Sequence, residues 1–252
     1  MTASTTTPAS VRRWQPTGRD RELLAWIGRW RCITSAQAAA EFEQRGTPLG
    51  LRKAQRRLRA ARDLGLVAWQ PPLQAHQFAA HWLTRKGMRE VDLRGSAAAP
   101  SPASLQHDLA VVDVALHITR TRPTLDLASE RELRAHHRAR PDQEPAGAVR
   151  VFANVHATRP RLVVADILTT APGRSPLAHL VRFDRPTART GTEMLALTTA
   201  DHLAGAVYWC PPDLETKTRD LAYATNHRAH VLGRNDGHPI VVRALPPSPH
   251  PS

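Results

Sequence analysis

Residues 44–66, QRGTPLGLRKAQRRLRAARDLGL, leave the chain few ways to fold. Leu51, Ala54, Leu58 and Ala61 recur at helical spacing and share one face, and Gly65 is placed to end the helix in left-handed backbone. The other positions hold seven cations, Arg45, Arg52, Lys53, Arg56, Arg57, Arg59 and Arg62, with no acid before Asp63. Such a helix docks on its aliphatic edge and turns Arg52, Lys53, Arg56, Arg57 and Arg59 outward. A solvated face normally mixes both signs, whereas one sign sustained over successive turns suits a polyphosphate.

The flanking segments build a small unit around this helix. Thr17 with Asp20 three residues on reads as the capped start of a helix over 18–30, with Leu23, Leu24, Ile27 and Trp30 on its apolar face. Thr34 caps a second helix, 35–42, which packs through Ala36, Ala39, Ala40 and Phe42. After Gly65 the period changes: Leu66, Val67 and Trp69 suggest a strand, Pro71 and Pro72 a bend, and 76–83 a returning strand. Three helices followed by a hairpin describe a winged helix-turn-helix. Thr84 then opens an amphipathic piece with Met88 and Val91 inward, and residues 95–104 break all periodicity as a linker.

The second half alternates between the two periods. A helix is expected over 105–119, strands over 125–129, 149–155, 161–169, 178–183, 206–210 and 240–243, and helices near 192–203 and over 213–228. The expected plan is α+β: a disordered leader (1–16), a winged-helix DNA-binding domain (17–94), a linker (95–104), a small α/β domain (105–245) and a loose Pro-rich tail (246–252).

Composition narrows the function classes. The net charge of +13 is uneven, with 17 Lys/Arg against 7 Asp/Glu in residues 1–95 and 18 against 15 in the remainder, so the first third faces the polyanion. Only 3 of the cations are Lys, a skew that GC-rich coding would also produce, so the placement of the charges is more telling than their type. Cys32 and Cys210 form no disulfide framework or zinc spacing, no apolar run is long enough to cross a membrane, and the first residues lack a secretory signal. A cytoplasmic setting is the expectation.

Several motifs resemble the replication-relaxation family of bacterial plasmids and integrative elements: Thr17-Gly-Arg-Asp with Leu23-Leu24, Ile33-Thr34 with Gln37, Ala54-Gln-Arg-Arg-Leu58, Leu64-Gly-Leu-Val67 and Trp82-Leu-Thr-Arg-Lys-Gly87. His107-Asp-Leu-Ala-Val-Val-Asp113 and Ser129-Glu-Arg-Glu-Leu133 look like that family's entry into its second domain. The resemblance covers residues 17–133 and is weak beyond them. It implies a winged helix joined to a nuclease-like domain, and DNA binding in replication, relaxation or transfer.

A nuclease of the restriction type needs an acid on one strand and a Glu-x-Lys-like pair on the next to hold Mg²⁺. The candidate acids are Glu130, Glu132, Asp142, Asp166 and Asp184; Asp166 and Asp184, on successive expected strands, are the first suspects. Arg182, however, stands where a second carboxylate is needed, and no lysine lies between Lys86 and Lys217. Pairing of either Asp with Arg182 or Arg161 is the structural alternative, and a degenerate restriction-endonuclease-like fold follows. His136, His137 and His179 lack partners at zinc spacing, Tyr208 reads as core, and Tyr223 lies on the 213–228 helix without the histidine triad of a relaxase. No cofactor, metal or phosphate loop is expected.

The cationic helix and the resemblance together imply a DNA-binding accessory protein of a mobile element. Arg52, Lys53 and Arg56 would meet base edges or nearby phosphates, Gln55 could read an adenine, and Arg45, Arg57, Arg59 and Arg62 would hold the backbone. Double-stranded DNA, a relaxase or replication protein, and a second copy of the chain are the expected partners. A winged-helix transcriptional regulator and a metal-dependent nuclease are the alternatives.

Overall fold

The structure is a computed structural model that describes residues 15–46, 49–72, 79–94, 97, 99–140, 147–151, 160–232 and 239–249. The fold is α+β. It opens with α1 (Gly18–Trp30), β1 (Cys32–Thr34), α2 (Ser35–Gln44), α3 (Leu51–Asp63), β2 (Val67–Gln70), β3 (Ala80–Leu83) and α4 (Arg85–Glu90). Thr17 and Thr34 close reciprocal caps with Asp20 and Gln37, which satisfies otherwise orphaned first-turn N–H groups of α1 and α2. Gly65 has φ +68°, the left-handed conformation that ends α3 and lets the chain reverse into β2. The three strands form an antiparallel sheet in the order β1-β3-β2.

Ser101 caps and Pro102 starts α5 (Pro102–Thr121), which is buried through most of its middle from Ala110 to Leu116. It packs against α2 and β1 on one side and reaches β8 on the other. Beyond it come β4 (Asp126–Ser129), α6 (Glu130–Ala139), β5 (Ala148–Val151), β6 (Arg161–Val164), β7 (Ile167–Thr170), β8 (Leu177–Val181), α7 (Ala188–Thr198), β9 (Ala206–Cys210), α8 (Pro212–Val231) and β10 (Ile240–Ala244). Five strands make a mixed sheet in the order β10-β9-β8-β7-β4; β4, β7 and β8 run antiparallel, and α7 and α8 connect the parallel strands β8, β9 and β10.

Alternation along β8 and β9 divides the sheet between two cores. Leu180 and Tyr208 join Met194, Leu197 and Ala222 beneath α7 and α8, whereas Val181, Val207 and Trp209 face the α5 side. The α5 core is continuous with Leu23, Ile27, Phe42, Leu58 and Leu83. Apolar packing thus runs unbroken from the first helices to the sheet.

Several expectations shift. The helix over 18–30 has the expected bounds, and α2 and α5 extend beyond theirs; α5 begins inside the expected linker because Ser101 supplies a cap. The single strand expected over 161–169 is two, broken at Ala165 and Asp166, and its halves β6 and β7 lie in different sheets. β1 and α6 were not anticipated. In the expected loose tail, Ser248 donates a hydrogen bond of 2.5 Å to Asp113. The leader through residue 14, the hairpin turn at 73–78, Asp142 and the end of the strand expected over 149–155 lie outside the described residues.

Candidate nucleic-acid interface

Ala54, Leu58 and Ala61, between 0% and 3% exposed, anchor α3, which packs on α2. The opposite face presents Arg52, Lys53, Gln55, Arg56 and Arg59, all exposed. Among the described residues none of these four cations forms an ion pair. Gly50 brings no side chain to cap the first turn, so the positive end of the helix dipole adds to Arg52 and Lys53.

The other expected cations are engaged within the protein. Arg57 is half-buried and pairs with Asp20, a correction to its expected outward position. Asp20 is 2% exposed at the start of α1, and a buried carboxylate there requires a counter-charge that α3 is placed to supply. Arg45 is exposed but pairs with Glu41 at 2.6 Å, one turn earlier on α2. Arg62 lies 3.6 Å from Asp63 and stacks over the Trp69 ring at 5.2 Å from its centroid. Trp69 is 44% exposed on β2, so this stack extends the cationic surface onto the hairpin.

A second cluster lies in the α/β half, in a groove of about 890 Å³ bounded by the starts of α5 and α7 and the end of β8. Asp166, 7% exposed, occupies the break between β6 and β7, where a strand interior had been expected. Its carboxylate accepts from the Val181 N–H at 2.7 Å and lies 3.3 Å from Arg182 Nη1 and 3.4 Å from His107 Nε2. Burial alone would raise the Asp166 pKa, but the hydrogen bond from His107, the Arg182 charge and the Val181 N–H together hold it below the usual carboxylate value. Burial likewise opposes charge on His107, yet Asp108 and Asp166 overcome it and push its pKa up to about 10. The imidazole is therefore a cation at neutral pH. Arg182 also reaches Glu193 at 3.8 Å, and Arg161 and Arg189 approach Glu193 at 3.4 and 3.6 Å.

The two suspected catalytic acids, Asp166 and Asp184, both line this groove but in unlike environments. Asp184 is exposed beyond the end of β8, while Asp166 already shares its oxygens with a guanidinium, an imidazolium and a backbone N–H. The structural alternative read from the sequence, pairing of Asp166 with Arg182, is the arrangement present. Glu130 joins Arg31 and Arg134 at 2.9 and 2.6 Å, and Glu132 caps α6 and pairs with Arg29 at 2.9 Å. These acids tie α6 to the first unit. Among the described residues no group of three or more His, Cys, Asp or Glu is arranged to hold a metal.

The remaining candidates resolve individually. His136 and His137 sit on α6 and not in a loop. His179 is buried between Thr169 and the Trp209 indole N–H, and burial lowers its pKa to about 3. Tyr208 is fully buried with its phenol pKa pushed up by burial, whereas Tyr223 is 75% exposed on α8. His107 and Glu193 were not singled out from the sequence as site residues. Arg189 is within one helical turn of Glu193 and Asp108 is next to His107, but the other partners lie 59 residues (His107 to Asp166) and 32 (Arg161 to Glu193) away, distances over which no local pattern signals contact. No known protein family, curated protein or solved structure matches the chain.

Proposed function

We propose that the protein binds double-stranded DNA through α3, as a winged helix-turn-helix accessory factor of the replication-relaxation type in a bacterial mobile element. The observation that carries this reading is the face formed by Arg52, Lys53, Arg56 and Arg59, exposed and without ion pairs among the described residues, on a helix whose other face is fixed in the core. Guanidinium and ammonium groups on a rigid helix can contact phosphates and major-groove base edges. Gln55 lies on the same exposed side, and its amide has the donor and acceptor that an adenine edge pairs with. The antiparallel β2-β3 hairpin follows α3 directly, and its Trp69-Arg62 stack would lie against adjacent backbone.

In this reading the α/β half is a degenerate restriction-endonuclease-like domain that positions partners. Its support is the mixed sheet with Asp166 at the head of β7 and Arg182 beside it, where a second carboxylate would otherwise stand. A guanidinium at that distance competes directly with a divalent cation for the same oxygens. Fluorescence anisotropy with labelled duplex DNA tests the central proposal: Arg56→Glu with Arg59→Glu should abolish binding while circular dichroism stays native. Undiminished affinity in that folded variant would overturn it.

A further inference from the structure

A cavity of about 300 Å³ lies where the first unit meets α6, apart from α3. Its lining combines apolar Trp82 of β3 and Met88 of α4 with Arg31 from the α1-β1 turn and Arg131, Arg134 and Arg138 from α6. Trp82 is only partly buried, packed against the Cys32, Ala80 and Leu105 cluster.

Among the described residues the cationic part of the lining is under-compensated. Of these residues Glu130 alone serves both Arg31 and Arg134, and Asp108 in the cavity lining lies 3.6 Å from His107. Arg131 donates to neutral acceptors, the Gly28 and Arg94 carbonyls at 3.0 and 3.4 Å and the Met88 sulfur at 3.6 Å. Arg138 is exposed and forms no ion pair among the described residues. Partial burial of Arg131 and the like charges of Arg31 and Arg138 lower its pKa, and an anion seated beside them would offset that repulsion.

We infer that this cavity binds a 5′-phosphorylated nucleotide, its planar base against Trp82 and Met88 and its phosphate on Arg131 and Arg138. Apolar walls with a few convergent charged groups are the usual construction of a small-ligand pocket, and a guanidinium pair matches phosphate geometry. The nucleotide is either free or the 5′ terminus of a DNA strand; both present the same chemistry. A ligand seated here touches α6, β3 and α4 together and would brace the first unit against the α/β half. The inference stands independently of DNA binding at α3.

Isothermal titration calorimetry on the full chain tests it, in an Arg52→Ala/Arg56→Ala background that removes cations of the α3 face. Adenosine 5′-monophosphate should bind, with adenosine and inorganic phosphate each about tenfold weaker or worse, and Arg138→Ala should weaken the nucleotide about tenfold through loss of a charge-assisted contact. Trp82→Ala should remove the preference for nucleotide over inorganic phosphate. A 5′-phosphorylated trinucleotide binding as tightly as the mononucleotide assigns the site to strand termini, and markedly weaker binding assigns it to free nucleotide. The inference is overturned by absence of nucleotide binding, by equal binding of adenosine, or by unchanged affinity in a folded Arg138→Ala chain.

Discussion

The four cations of α3 that form no ion pair among the described residues set the size of an ionic-strength effect. If Arg52, Lys53, Arg56 and Arg59 each neutralise one DNA phosphate, the logarithm of the binding constant should fall with the logarithm of salt concentration at a slope of about −3.6, at roughly −0.9 per phosphate. Raising salt from about 50 to 200 mM would then weaken binding roughly 150-fold. Removing one contact with Arg56→Ala should reduce the slope to about −2.7 and the loss over the same range to roughly 40-fold. Arg57 and Arg45, already paired with Asp20 and Glu41, supply the internal comparison: a displaced ion pair releases little net counterion, so Arg57→Ala should leave the slope nearly unchanged. The assay is anisotropy on a short duplex across a salt series for the three proteins. A slope near zero, or equal slopes for the parent chain and Arg56→Ala, would refute assignment of the phosphate contacts to this face.

The same pairing predicts that Arg57→Ala costs about 2–3 kcal/mol of stability in urea denaturation, because it strips the counter-charge from buried Asp20 while the Thr17 hydrogen bonds persist. Gly87→Ala should destabilise by about 2 kcal/mol or more, since a Cβ there would sit 2.0 Å from the backbone oxygen of Leu66; a thermal melt with unchanged midpoint would contradict the close approach of α4 to that segment. Stability should also be highest near neutral pH. His179 is held neutral with a pKa of about 3, so below the ordinary value of 6.5 the unfolded chain binds the extra proton and stability falls as pH drops from 6.5 toward 3. His107 has the opposite sign: its raised pKa of about 10 gives stabilisation that is complete below 6.5 and is lost as pH rises from 6.5 toward 10. Denaturant midpoints across pH should show both flanks, and His107→Gln should flatten the alkaline one.

How much of this was legible in the sequence follows from the range of the forces involved. α1, α3 and β9 have bounds close to those expected because local rules decide them: a Thr17-Asp20 cap, a Gly65 that ends a helix, and an apolar run from Ala206 to Cys210. The aliphatic seam of α3 was likewise fixed by spacing alone. Arg57 shows the limit of that reasoning, since periodicity assigns it a side of the helix but cannot reveal Asp20 waiting 37 residues earlier. The strand expected over 161–169 fails for a related reason: Leu162 to Ile167 is apolar throughout save Asp166, and such a run does not disclose that the Asp166 carboxylate is turned to the Val181 N–H, ending one strand pairing and beginning another.

That break organises the groove. By leaving the β6 ladder, the chain places Asp166 between α5 and β8, where His107 and Arg182 converge on it from elements 59 and 16 residues away. Asp166, expected inside an apolar strand, is therefore the centre of a charge network in which it and Glu193 each have cationic neighbours. The α3 face is the reverse case: among the described residues Arg52, Lys53, Arg56 and Arg59 have no paired carboxylate. The proposed binding of a polyanion rests on that contrast between the two surfaces and not on the total of +13, which both share.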